Sequence, residues 1–273
     1  MSNRPIGLLD SGIGGLTVLK AAKHKLPNES FVYIGDSARN PYGNRTKEEI
    51  VQYTNELVQF LLDQKVKMIV IACNTATALT LDVLREKLSI PVIGVISAGS
   101  KEAVKLSQTR EIGVLATQST VNSRFYTKTI QDEASDTNIR SIACPEFVEL
   151  VESNQHSSAY AQEVVARKLA PLKNHNIDTL VLGCTHFPLL ADFIQKELGN
   201  SVQLVDSGAL TVANIEDTLV ELNIKTDDRE TTPFTKIYTT GKLDLFKEIA
   251  EEWMESNTLE IEHIKLRGLV EFE

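Results

Sequence analysis

Met68-Ile69-Val70-Ile71-Ala72-Cys73-Asn74-Thr75 runs from five apolar residues into a cysteine and two hydrogen-bonding side chains. Thr179-Leu180-Val181-Leu182-Gly183-Cys184-Thr185-His186 repeats that pattern 111 residues later. An apolar run without alternation marks a strand buried on both faces, as in a parallel sheet covered by helices. Two further pairs align around these. Ile6-Gly7-Leu8-Leu9 matches Ile112-Gly113-Val114-Leu115 at an offset of 106, and Phe31-Val32-Tyr33-Ile34 matches Ile139-Arg140-Ser141-Ile142 at 108. Near-constant offsets over three elements point to an internal duplication.

The rest of the chain fits two such halves. In the first, strands are predicted at 6–9, 31–34, 66–72 and 91–95, with helices at 16–25, 47–64 and 77–88. Thr46 and Glu49 form a capping-box pattern before the second helix. In the second, strands are predicted at 112–115, 139–143, 179–182 and 202–205, with helices at 121–133, 159–173 and 189–198. A helix at 211–222, a polar linker at 226–232, a strand at 236–239, a helix at 242–254 and a strand at 260–266 form a tail expected to pack on the first half. Alternating strands and helices imply βαβ units. The expected architecture is two pseudo-symmetric α/β domains with mainly parallel sheets. Residues 1–97 with 208–273 form one, residues 98–207 the other, and the site lies between them.

Bulk properties narrow the function. The 273 residues carry a net charge of −9, which argues against nucleic acid or an anionic membrane as partner. Apolar runs fall far short of the ~20 residues of a membrane span. The opening Met1-Ser2-Asn3-Arg4-Pro5-Ile6 shows no secretory pattern, so a cytoplasmic location is expected. The three cysteines, Cys73, Cys144 and Cys184, are then expected as reduced thiols.

In open α/β sheets, ligands bind beyond the carboxyl ends of the strands. Asp10-Ser11-Gly12, Gly35-Asp36-Ser37, Cys73-Asn74-Thr75, Ala116-Thr117 and Cys184-Thr185-His186 all fall there. A single buried cysteine is usually a small hydrophobe, and Cys144 is read that way. Cys73 and Cys184 differ because they occupy matched positions. Facing each other about a pseudo-twofold axis, they reach one ligand from opposite sides. Inverting a carbon stereocentre needs a base on one face and an acid on the other, and thiolate and thiol supply both. A free thiol, with pKa about 8.5, is mostly protonated at neutral pH, so each needs help. His186 is placed to assist Cys184, and Asp10 to assist Cys73. Taken alone, Asp10 also fits an Asx turn and His186 a structural histidine.

Other readings compete. Gly12-Ile13-Gly14-Gly15, with Asp36 as a ribose-binding acid, has part of a dinucleotide fingerprint, but Thr17 stands where a small residue belongs. A zinc site from Cys73, Cys184 and His186 lacks close-spaced cysteine pairs. A redox sensor would account for reactive cysteines without requiring opposed thiols.

Pro5–Thr17, Gly35-Asp36-Ser37-Ala38-Arg39-Asn40-Pro41-Tyr42-Gly43, Cys73-Asn74-Thr75-Ala76 and Leu182-Gly183-Cys184-Thr185-His186-Phe187-Pro188-Leu189 resemble, in order, the motifs of bacterial glutamate racemases. The cysteine motifs are shared more loosely by aspartate racemases. The resemblance implies a cofactor-independent, metal-free enzyme acting on a small molecule, L- or D-glutamate, as a homodimer. Its product, D-glutamate, is a building block of peptidoglycan. Cys73 would take the α-proton from D-glutamate and Cys184 from L-glutamate, with Asp10 and His186 assisting and Glu152 in support. Asp10, Ser11, Pro41, Tyr42, Gly43, Asn74, Thr75, Thr117, Cys184, Thr185 and His186 match substrate-contacting positions. Aspartate racemisation, or a related isomerase or decarboxylase reaction, stays open. Ile96-Ser97-Ala98-Gly99 departs from the family's usual Glu-Pro-Gly pattern.

Overall fold

The computed structural model describes residues 3–226 and 232–266. Most of the predicted linker, 227–231, lies outside them. The chain begins β1 (Ile6–Asp10), α1 (Leu16–Lys25), β2 (Phe31–Gly35), α2 (Lys47–Asp63), β3 (Met68–Ile71), α3 (Asn74–Lys87), β4 (Val92–Gly94) and α4 (Ile96–Leu106). It continues β5 (Glu111–Ala116), α5 (Gln118–Ser123), α6 (Phe125–Glu133), β6 (Asn138–Ala143), α7 (Pro145–Glu152), α8 (Ala159–Leu169), β7 (Thr179–Gly183), α9 (Ala191–Leu198) and β8 (Gln203–Asp206). α10 (Ser207–Glu221), β9 (Thr235–Thr239), α11 (Leu243–Met254) and β10 (Glu260–His263) complete it.

The strands form two parallel sheets, in the orders β10-β9-β2-β1-β3-β4 and β6-β5-β7-β8. The second order repeats the β2-β1-β3-β4 portion of the first. The registers repeat too. Ile6 pairs with Phe31 and Met68, and Ile112 pairs with Ile139 and Thr179. These are the residues that the sequence offsets equate. The tail packs on the first half as expected, with β9 pairing alongside β2 and β10 beyond it. β1, β2, β3 and β7 are buried along their whole length, which is why their sequences are apolar without alternation.

Several boundaries differ from the sequence reading. The helix predicted from 77 begins at Asn74, because Cys73 is itself the N-cap, its sulfur accepting the Ala76 N–H at 3.5 Å. The helix predicted from 211 begins at Ser207, where Asp206 accepts the N–H groups of Gly208 and Ala209. The single helix expected at 121–133 is two, broken at Arg124 in the left-handed region, φ 55°. The strand expected at 66–72 is Met68–Ile71, and that at 260–266 ends at His263. Two helices were not foreseen. α4 follows β4 directly and contains Ser97, Gly99 and Ser100, poor helix formers. α7 is eight residues long and has Phe147, Val148 and Val151 where helix formers would mark it.

Candidate active site

Both cysteines sit just past the carboxyl ends of their strands, as the duplication requires. After β3, Cys73 turns the chain into α3 and is 5% exposed. Its thiol donates to Ser11 Oγ at 3.6 Å. Burial pushes the Cys73 thiol up to about 12, and the nearby Asp10 charge adds to the rise, against the Ala76 N–H and Ser11, which lower it. Cys73 is therefore a protonated thiol in this arrangement.

Asp10 ends β1 and is fully buried. Its Oδ2 accepts the Gly12 N–H at 3.1 Å. Its Oδ1 is buried and has no hydrogen-bond partner among the described residues. Burial raises its pKa, against the pull of His186 and the Gly15 and Gly12 amides. An unpaired buried carboxylate oxygen is costly as a structural device and suited to exchanging a proton.

The other side is built differently. Cys184 Sγ lies 3.4 Å from His186 Nδ1, and His186 Nε2 lies 2.6 Å from Glu152 Oε1. Glu152 is the last residue of α7, one of the unforeseen helices, which brings it to a histidine 34 positions later. Burial opposes charge on His186, but Cys184 and Glu152 outweigh it and hold the imidazole well above its ordinary value. Burial likewise opposes charge on Glu152, yet His186, the Ile13 amide and Asn40 hold its carboxyl below the usual range. The arrangement is a thiol, an imidazole and a carboxylate in line, with the imidazole placed to exchange a proton with the sulfur. Gly14 closes the back of this group. A Cβ on residue 14 would lie 2.9 Å from His186 Nδ1 and would overlap Thr185 Oγ1.

The two thiols open into one small cavity. Of the residues singled out from sequence, Ser11, Pro41, Tyr42, Gly43, Cys73, Asn74, Thr75, Thr117, Cys184, Thr185 and His186 line it. Asp10 and Glu152 do not, and stand beside residues that do. Asn40, quoted from sequence only as part of the Gly35–Gly43 motif, also lines it, and Val148, which the sequence reading missed, does too. Thr75 of α3 meets Thr117 and Thr120 at the start of α5, with Oγ1–Oγ1 distances of 2.8 and 3.2 Å. This hydroxyl cluster joins the two halves at the rim. The positive end of the α3 dipole, at Asn74 and Thr75, adds an electropositive edge suited to a carboxylate.

The alternatives from sequence fare poorly. Asp36 cannot serve a ribose, because it is fully buried and its carboxylate accepts from Arg39 Nε at 2.7 Å, Tyr42 OH at 2.6 Å and Thr240 Oγ1 at 2.7 Å. This network holds the turn that presents Tyr42 and Gly43. Among the described residues no group of three His, Cys, Asp or Glu side chains is placed to hold a metal ion. No helix among them is long and apolar enough to cross a membrane.

Comparison with known proteins follows the same line. Residues 17–215 match the family model of Asp/Glu/hydantoin racemases. A glutamate racemase of Carnobacterium sp. is 50% identical over 267 residues, 97% of this chain and 100% of that protein. The crystal structure of a glutamate racemase isoform from Bacillus anthracis superposes with a TM-score of 0.93 at 40% identity, covering 97% of this chain and 99% of that one. The Francisella tularensis glutamate racemase, solved in complex with D-glutamate, gives 0.90 at 34% identity, with the same two coverages.

Proposed function

The chain belongs to the Asp/Glu/hydantoin racemase family and is an amino-acid racemase; from that premise we propose that its substrate is glutamate and that Cys73 and Cys184 are its two acid–base groups. The observation that carries this reading is the cavity walled by two cysteines from matched strand ends, with Ser11 against Cys73 and His186 against Cys184. Every close relative named above acts, by its name, on glutamate.

In the proposed reaction the Cys184 thiolate, paired with imidazolium His186, removes the α-proton of L-glutamate. The thiol of Cys73 delivers its own proton to the opposite face of the carbanion. D-glutamate leaves with Cys73 as thiolate and Cys184 as thiol. The reverse reaction begins from that state, with Asp10 assisting Cys73. Ser11, Asn74, Thr75, Thr117, Thr185 and the Pro41-Tyr42-Gly43 turn hold the carboxylates and ammonium. Placement on both faces holds the reacting atoms in near-attack geometry. No bound cofactor is needed for proton transfer between two thiols and carbon.

The same reading makes the enzyme a cytoplasmic homodimer that supplies D-glutamate for peptidoglycan. It divides the chain into one domain of residues 1–97 with 208–273 and another of residues 98–207. A panel of L- and D-amino acids in deuterated water, without added cofactor, tests it. Glutamate should racemise with deuterium at Cα, and aspartate should turn over far more slowly. Preferential turnover of aspartate, or activity only with added pyridoxal phosphate, would refute it.

A further inference from the structure

Tyr126 lies on α6, in a segment with no recognised motif, and is 2% exposed. Its hydroxyl has two buried partners. Asn74 Nδ2 donates to it at 2.8 Å, and Ser207 Oγ lies 2.8 Å from it. Burial keeps the hydroxyl neutral by pushing its pKa up, so it accepts from Asn74 and shares one proton with Ser207. Its ring packs on Gly183, where a Cβ would sit 2.9 Å from Tyr126 Cε2 and 2.7 Å from Leu115 O. One side chain thus touches the residue after Cys73 and the residue before Cys184.

Its anchor is equally placed. Ser207 opens α10, by which the chain returns to the six-stranded sheet, and α4 carries it the other way. The two crossings meet at Ser207 and Gly99, where a Cβ on residue 99 would lie 2.8 Å from Ser207 Cβ. Ile96-Ser97-Ala98-Gly99, unusual in sequence, keeps the small residue that this contact needs. A hydrogen-bonded line therefore runs from the cavity wall at Asn74, through Tyr126, to the junction of the two halves.

We infer that Tyr126 is a positioning residue for racemisation: its hydroxyl fixes the Asn74 carboxamide against the ligand, and its ring sets the spacing of the two cysteine turns. With one Asn74 N–H tied to Tyr126, the amide carbonyl and second N–H are held in one plane for the substrate. The inference rests on the two-thiol racemase reading above.

Tyr126→Phe keeps the ring on Gly183 and deletes the hydroxyl. Steady-state kcat and KM on both glutamate enantiomers are measured for the wild type, Tyr126→Phe, Asn74→Ala and the double variant, with Tm for each. The expected result is an about tenfold loss of kcat/KM in Tyr126→Phe, the size of one buried hydrogen bond, and no further loss when Asn74 is already Ala. Additive losses, or a lowered Tm with unchanged kcat/KM, would overturn it. If Tyr126→Phe does not fold, Ser207→Ala removes the hydroxyl's second anchor, and its loss should likewise vanish in the Asn74→Ala background. Should the wild type leave glutamate untouched, the substrate reading has failed instead, and the same cycle is run on the amino acid that the wild type does racemise.

Discussion

His186 Nδ1 lies 3.4 Å from Cys184 Sγ, whereas among the described residues the Cys73 thiol meets the Ser11 hydroxyl and the Ala76 amide and no imidazole. The two thiols are matched in position and unmatched in chemistry. That asymmetry should be visible in kinetics. A racemase has an equilibrium constant of one, so the Haldane relation keeps kcat/KM equal for both enantiomers, and differences between its two bases must be sought in isotope effects. His186→Asn should slow the step at Cys184. The primary deuterium effect on α-deuterated L-glutamate should then rise, while that on D-glutamate is suppressed, because reprotonation has become limiting. Asp10→Asn should give the mirror image. Equal effects for both enantiomers in either variant would show that the assistants are not side-specific.

The Glu152–His186 pair predicts a pH signature. The folded pKa of His186 is raised from its ordinary 6.5, so the stability it contributes is complete below 6.5 and is lost as pH rises through the folded value. The folded pKa of Glu152 is lowered from 4.5, so its contribution is present above 4.5 and is lost as pH falls through the folded value. Glu152→Gln should therefore lower the His186 pKa, read by side-chain NMR titration. It should also cost thermal stability near neutral pH, with the gap to wild type narrowing at alkaline pH. A His186 titration unmoved by the substitution would show that the carboxylate does not hold the imidazolium.

Gly14→Ala tests how tightly His186 must be held. Gly14 has no positive φ, so the backbone accepts alanine, but the new Cβ would lie 2.9 Å from the imidazole. The ring should be pushed away from Cys184. A displacement of that size costs on the order of 10²-fold in rate. The expected variant is folded, with a Tm lowered by the overlap at Thr185 and kcat lower by about that factor. Full activity would mean that the imidazole tolerates displacement and is not a positioned assistant.

Much of this was legible in sequence because the informative features are local. Continuous apolar runs identified β1, β2, β3 and β7, and their offsets reproduce the registers of the two sheets. Cys73, Cys184 and His186 follow their strands directly, so topology alone takes them to the site. What escaped depends on contacts between distant segments. α7 is short and rich in β-branched and aromatic residues, so its helical state is set by tertiary packing, and with it the reach of Glu152 and Val148. Asp36 looked like a ribose acid until Arg39, Tyr42 and Thr240 were seen to occupy its oxygens. Tyr126 carries no local signal at all, since it matters only through partners outside its own segment.

The central claim is that Cys73 and Cys184 work as opposed bases on one α-carbon, and the most direct measurement is α-proton exchange and inversion in deuterated water for Cys73→Ala and Cys184→Ala. Each enantiomer of glutamate is followed by NMR and circular dichroism. The account predicts that either substitution alone abolishes inversion, a loss of at least about 10²–10⁴-fold, with folding intact. Inversion at near wild-type rate by either variant would contradict it, because one face of the carbon would then be served by some other group.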